Sequence, residues 1–134
     1  VIVGPDAESR PWVTCIAREM NVPHLVLHKV RHGDREVELE MPDGACLAGR
    51  RLVIVDDICS TGGTLIGAVR QLRAAGAASI EIAVVHALFK PSVGATLRRM
   101  GVRSVISTDA CAHPSNRISV VGLLADALSE ELSP

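Results

Sequence analysis

Aromatic side chains are almost missing from this 134-residue chain: Trp12 and Phe89 are the only two, and tyrosine is absent. With 48% of the residues apolar, a sizeable core is still possible, but it must be aliphatic. That composition suits a parallel sheet rich in valine, isoleucine and leucine. It also leaves little surface on which to stack a purine ring. No basic block is present; 14 Lys and Arg stand against 15 Asp and Glu, for a net charge of -1. Binding to nucleic acid or to an anionic membrane surface is therefore disfavoured. No apolar run is long enough to cross a bilayer, and no signal-peptide pattern precedes the first apolar stretch. The expected location is the cytoplasm. Cys15, Cys46, Cys59 and Cys111 show neither a CxxC pair nor a Cys/His metal spacing, so free thiols are expected. A Walker-type GxxxxGK[ST] loop is absent as well.

The residues present make up for these gaps at one place. The run Val53-Ile54-Val55-Asp56-Asp57-Ile58-Cys59-Ser60-Thr61-Gly62-Gly63-Thr64 begins as a buried strand and passes two adjacent carboxylates. It then enters a turn rich in hydroxyls and glycine. Gly62 and Gly63 permit positive φ and close approach of backbone N–H groups to an anion. Leu65, Ala68, Val69 and Leu72 recur on one face of a following helix, whose positive end points into the turn. Ser60, Thr61 and Thr64 add hydroxyl donors. Two carboxylates beside an anion site call for sugar hydroxyls, a divalent cation, or both. The combination describes a site for a phosphate attached to a polyol.

The rest of the chain alternates strand and helix signals. Residues 1–4 read as a strand ending at Pro5-Asp6, and Ser9 is placed to cap a helix with Pro11 in its first turn. Val13, Ile16, Ala17 and Met20 form that helix's expected buried stripe. Residues 24–29 read as a second strand. Residues 31–44 change character: Val37, Leu39 and Met41 alternate with Glu36, Glu38 and Glu40, the period of a projecting β-ribbon closed near Asp43-Gly44. After the strand into Asp56 comes a helix ending at Gly76. Then follow a strand over 80–88, a helix over 92–100 and a strand over 102–107. A short edge strand is expected over 118–121, and Val121, Leu124, Ala125 and Leu128 mark a last helix. This order predicts an α/β fold: one domain over 1–134, a Rossmann-like parallel sheet of about five strands, and helices on both faces. Ligands gather beyond the carboxyl ends of such strands, which places Asp6, Lys29, Arg31, Asp56, Asp57, His86 and Asp109 on one edge.

The strand, Asp-Asp and Thr-Gly-Gly-Thr string resembles the ribose-phosphate motif of the phosphoribosyltransferase superfamily, which implies the type I phosphoribosyltransferase fold. His28-Lys29-Val30-Arg31 and the ribbon after it resemble the flexible catalytic loop of ribose-phosphate diphosphokinases, here over residues 30–45. Val1-Ile2-Val3-Gly4-Pro5-Asp6 is similar to that family's Val-Val-Ser-Pro-Asp, and residues 84–89 are similar to its Thr-His-Gly-Leu-Phe strand end. The resemblance covers essentially the whole chain and implies the C-terminal half of a longer two-domain synthetase. It departs from the family at Glu8-Ser9, where a glycine pair is usual, at Val30 inside Lys-x-Arg, and at Cys59-Ser60 in the turn.

The resemblance implies transfer of diphosphate from ATP to ribose 5-phosphate. Asp56, Asp57, Ser60, Thr61, Gly62, Gly63 and Thr64 would bind ribose 5-phosphate. Asp6 would contribute to a Mg²⁺ site, and Lys29 and Arg31 would be catalytic. Much of the ATP site is expected in an N-terminal half and an adjacent subunit of a homo-oligomer. Two alternatives stand beside it: a phosphoribosyltransferase acting on a base or amine, and a non-catalytic regulatory homologue. Cys59 reads as a tolerated small residue in the turn, because no base is evident near it in the sequence.

Overall fold

The computed structural model describes residues 1–32, 36–40 and 46–132, with side chains for 1–28 and 46–132. The chain builds a parallel sheet of six strands: β1 (Ile2–Gly4), β2 (His24–Val26), β5 (Arg51–Cys59), β6 (Ser79–Ala87), β7 (Val102–Thr108) and β8 (Asn116–Ile118). β3 (His28–His32) and β4 (Glu36–Glu40) form a separate antiparallel ribbon. The helices are α1 (Arg10–Glu19), α2 (Gly63–Ala74), α3 (Pro91–Arg99) and α4 (Val121–Glu131), and a short 3₁₀ turn (Ala7–Ser9) precedes α1.

The period-2 alternation of the strands sorts the apolar residues into two cores. Val3, Leu52, Ile54, Ile80, Ile82 and Val84 face α2 and α3, whose Leu65, Ala68, Val69, Leu72 and Leu97 complete one aliphatic cluster. Ile2, Val26, Val55 and the partly buried Val53 and Ala83 face the other way, against Val13 and Ala17 of α1. Continuous apolar runs result because both faces of the sheet are covered, as expected of parallel strands. Leu65, Ala68, Val69 and Leu72 are each at most 1% exposed, so the stripe expected of α2 is its buried face.

Strand order places the site. Across the sheet the order is β2-β1-β5-β6-β7-β8. The chain winds outward from β1 to β2, returns to the other side of β1 as β5, and continues the opposite way. Between β1 and β5 the winding reverses, and that switch point opens a crevice at the strands' carboxyl ends. Asp6 follows β1, and Asp56, Asp57 and the glycine turn lie at and beyond the end of β5.

Several expectations change. The sheet has six strands, because Asn116–Ile118 adds a short parallel edge to β7. Met20, expected in the buried stripe of α1, is 58% exposed, since α1 ends at Glu19 and the chain turns away through Asn21 at φ 51°. Ser9 does not cap α1 with its side chain. The ribbon arms pair Lys29 with Leu39 and Arg31 with Val37; the closure expected near Asp43-Gly44 lies outside the described residues. β4 runs alongside α2. On α4, Val121, Leu124 and Leu128 are 59–64% exposed, so its apolar face covers no described part of the core.

Candidate functional site

The turn after β5 begins from a tied-down carbonyl: Leu88 N–H donates to Cys59 C=O at 2.8 Å, holding the β6–α3 connection against it. Gly62 takes φ 77°, the left-handed region. A Cβ there would sit closer than 3.0 Å to Val93 Cγ1 of α3, so both conformation and space require glycine. Gly63 differs. It opens α2 in ordinary helical conformation, and a Cβ on it would meet only Thr61 Oγ1, at 3.7 Å. Positive φ, expected of both glycines, therefore belongs to Gly62; the contribution of Gly63 is open space in front of the helix.

That space is where the donors are. Gly63 N–H reaches Thr61 Oγ1 at 3.4 Å, and Ile66 N–H returns to Gly62 C=O at 2.9 Å. The N–H groups of Thr64 and Leu65 find no acceptor among the described residues, as first-turn helix donors characteristically do not. Together with the hydroxyls of Ser60, Thr61 and Thr64 they line a cleft of about 60 Å³, with Asp56 and Cys59 at its inner end. Such a cleft suits one compact anion.

The two carboxylates do different things. Asp56 is 7% exposed and continues the alternation of Leu52 and Ile54, toward the α2 side and the cleft. Asp57 alternates to the opposite side, is half-buried, and accepts the N–H of Ile58 at 2.8 Å through Oδ1. Asp57 is not among the residues that line the cleft. Adjacency in sequence thus separates the acids across the end of the sheet.

Asp6 leaves β1 in extended conformation and is half-buried. Its carbonyl is gripped by Ser9, whose hydroxyl donates to it at 2.5 Å and whose N–H reaches it at 3.2 Å. Ser9 is fully buried over Gly4, where any Cβ would overlap its Oγ. Ser9 therefore stabilises the 3₁₀ turn, and Glu8 points out to solvent. Lys29 and Arg31 occupy alternate positions of β3, hence one face of the ribbon; their side chains lie outside the described residues, as does part of the 30–45 loop. Among the described residues no group of three or more His, Cys, Asp or Glu forms a metal cage.

Three further candidates have partners within the fold. Burial pushes the Cys59 thiol up to about 11, aided by the nearby Asp56 carboxylate and opposed by the Gly62 N–H, so this cysteine is a protonated packing residue. Asp109 accepts the Val120 N–H at 2.9 Å at the start of α4, and that bond, with Ser119, holds its carboxyl below the usual range. His86 stands opposite Ile58 in the β5–β6 register and touches Cys111 Sγ at 3.7 Å through Nδ1.

Residues 1–122 match the phosphoribosyl transferase domain family. The chain belongs to that family. Among curated relatives, this phosphoribosyl transferase domain is 35% identical over 133 residues to a ribose-phosphate pyrophosphokinase of Methanopyrus kandleri, covering 99% of this chain and 45% of that protein. It is 36% identical over 126 residues to ribose-phosphate pyrophosphokinase 2 of Archaeoglobus fulgidus, covering 94% of this chain and 46% of that protein. The domain thus spans about half the length of the curated relatives it matches. Among solved structures, phosphoribosylpyrophosphate synthetase from Mycobacterium smegmatis superposes with a TM-score of 0.75 at 27% identity, over 97% of this chain and 44% of that one. A purine phosphoribosyltransferase from Pyrococcus horikoshii shares the fold, with a TM-score of 0.56 at 24% identity. The type I phosphoribosyltransferase fold expected from the sequence is the observed one. No described helix is long and apolar enough to cross a membrane.

Proposed function

We propose that this domain binds ribose 5-phosphate and forms part of a ribose-phosphate diphosphokinase, which transfers diphosphate from ATP to the sugar and releases AMP. The single observation that carries the reading is the glycine turn at the switch point, with helix donors in front of Gly63 that find no acceptor among the described residues and a buried carboxylate, Asp56, beside it. Its support from relatives is the run of ribose-phosphate pyrophosphokinases that match nearly the whole chain.

In this reading the 5-phosphate sits in the cleft, held by the N–H groups of Thr64 and Leu65 and by the hydroxyls of Ser60, Thr61 and Thr64. Asp56 accepts hydrogen bonds from the ribose hydroxyls. Phosphoryl transfer is dominated by positioning and charge stabilisation, and the domain's own residues supply both. Lys29 and Arg31 bring two cations to the transferring group from the ribbon. The chemistry of the donor set fits Mg²⁺, a hard cation that takes one or two carboxylates and completes its shell with water and phosphate oxygens. Asp6, just after β1, would contribute a carboxylate to it, and it would neutralise phosphate charge. ATP contacts are assigned mostly to the further half present in the relatives and to a neighbouring subunit of a homo-oligomer, in the cytoplasm.

Calorimetric titration with ribose 5-phosphate tests the assignment. Asp56→Asn removes a charged acceptor from a buried position and lowers affinity by at least about 2 kcal/mol. An affinity within a factor of about three of the parent, roughly half a kcal/mol, refutes it.

A further inference from the structure

A groove of about 380 Å³ lies beside β7 and shares no lining residue with the phosphate cleft. It exists because β8 pairs with β7 only at Ser107 and Thr108, leaving the edge of residues 103–106 open. α3 forms one wall with Pro91, Gly94 and Arg98, and the segment from His113 to Arg117 forms the other. Phe89, Val105 and Ile106 supply an apolar floor.

Three exposed guanidinium groups, Arg98, Arg103 and Arg117, surround this floor, and no Asp or Glu lines the groove. Among the described residues none of the three pairs with a carboxylate; Arg117 donates only to the carbonyls of Pro114 and Asn116. Three like charges around one hollow repel one another unless an anion joins them. The wall behind them is internally hydrogen-bonded. His113 Nε2 meets Phe89 C=O at 3.1 Å and its Nδ1 meets Ser115 Oγ at 2.6 Å. Ser115 Oγ bonds Ser107 Oγ at 2.7 Å, and Asn116 donates to the same Ser107 hydroxyl at 3.0 Å. The rings of Phe89 and His113 lie 4.4 Å apart, which packs the floor against this wall.

We propose that this groove is a second ligand site, for a small organic phosphate that joins an apolar ring to a dianionic group. Guanidinium forks match phosphate oxygens in pairs, and the floor of Phe89, Val105 and Ile106 takes the ring. The volume lies in the range of small-molecule sites, roughly 300–1,000 Å³. Walls on two sides favour a small molecule over an acidic peptide strand added to the open edge of β7. The proposal stands independently of the ribose 5-phosphate reading.

The test is a residue-resolved amide NMR titration of the chain with phenyl phosphate. Saturable shifts are expected at 103–106 and 115–117. Phenol and inorganic phosphate, each carrying half of the ligand, bind there at least about fivefold more weakly. Arg98→Gln with Arg103→Gln weakens phenyl phosphate at least about tenfold, and raising salt from about 50 to about 200 mM weakens it in the parent. The double variant keeps the parent's unfolding midpoint, since both side chains are exposed. Three results each overturn the proposal: shifts confined to residues 60–65, equal affinity in the double variant, or shifts at 103–106 with a tetraglutamate peptide but none with phenyl phosphate.

Discussion

Gly62 and Gly63 are neighbours, yet a methyl group added to each has opposite consequences. At Gly62 the backbone holds φ 77°, and alanine in that region costs about 1–2 kcal/mol. The new Cβ also arrives closer than 3.0 Å to Val93 Cγ1. Forcing a carbon into a packed contact costs about 1–3 kcal/mol more. Gly62→Ala is therefore expected to lose about 2–5 kcal/mol of stability. At a urea m-value near 2 kcal/mol/M, that lowers the unfolding midpoint by at least about 1 M. Val93→Ala alone costs about 1 kcal/mol, because Val93 is half-buried. In the double variant the overlap disappears and only the backbone strain remains, giving a coupling of about 1–3 kcal/mol. Gly63→Ala, in contrast, places a Cβ 3.7 Å from Thr61 Oγ1 in a helical first turn, and raises stability by about 0.5–1 kcal/mol. Its methyl group nevertheless intrudes on the Thr64 and Leu65 N–H donors, so ribose 5-phosphate affinity falls. Urea unfolding followed by the fluorescence of Trp12, the only tryptophan, measures all four variants. A Gly62→Ala loss under about 0.5 kcal/mol, or no coupling to Val93→Ala, refutes the steric account.

The Cys59 thiol, raised to about 11, favours its protonated form in the folded state. Its contribution to stability is thus fully present below the ordinary thiol range, near 9, and is lost as pH climbs toward 11. Urea midpoints between those limits should fall less steeply in Cys59→Ala than in the parent; equal slopes would show that the thiol is not coupled to folding. Leu72→Ala, in the core, should cost about 2–5 kcal/mol, whereas Leu128→Ala, 59% exposed on α4, should cost under about 0.5 kcal/mol. Similar losses would mean that α4 packs on the core in solution. In a protein extended to the length of the ribose-phosphate pyrophosphokinases, Lys29→Ala should lower turnover by about 10²–10³ while leaving ribose 5-phosphate affinity within about threefold. An equal loss in both would make Lys29 a ground-state binding residue.

Local sequence determined the elements with strong periodicity. The stripe Leu65, Ala68, Val69 and Leu72 specified α2 and its buried face, and the apolar run before Asp56 specified a strand covered on both sides. The order of strands and helices implied the parallel sheet, and a glycine pair between strand and helix marked the turn. Other features had no local signal. That Gly62 has no room for a Cβ depends on Val93, some 30 residues away, and the turn before it starts from a carbonyl of Cys59 tied to Leu88. Asp56 and Asp57 look like one paired site in the chain, but strand alternation divides them, and only Asp56 lines the cleft. Ser9 reads as a helix cap, yet it serves the carbonyl of Asp6 because Gly4 leaves room above β1. Met20, Leu124 and Leu128 satisfy a helical period and remain exposed, because periodicity reports which residues share a face and not whether another element covers it. The Arg98, Arg103 and Arg117 groove comes from three separate segments, and it forms only where the short β8 leaves the edge of β7 open. Nearest-neighbour chemistry sets helix, strand and turn; the meeting of distant segments is decided by sheet order and crossover, which no window of the sequence contains.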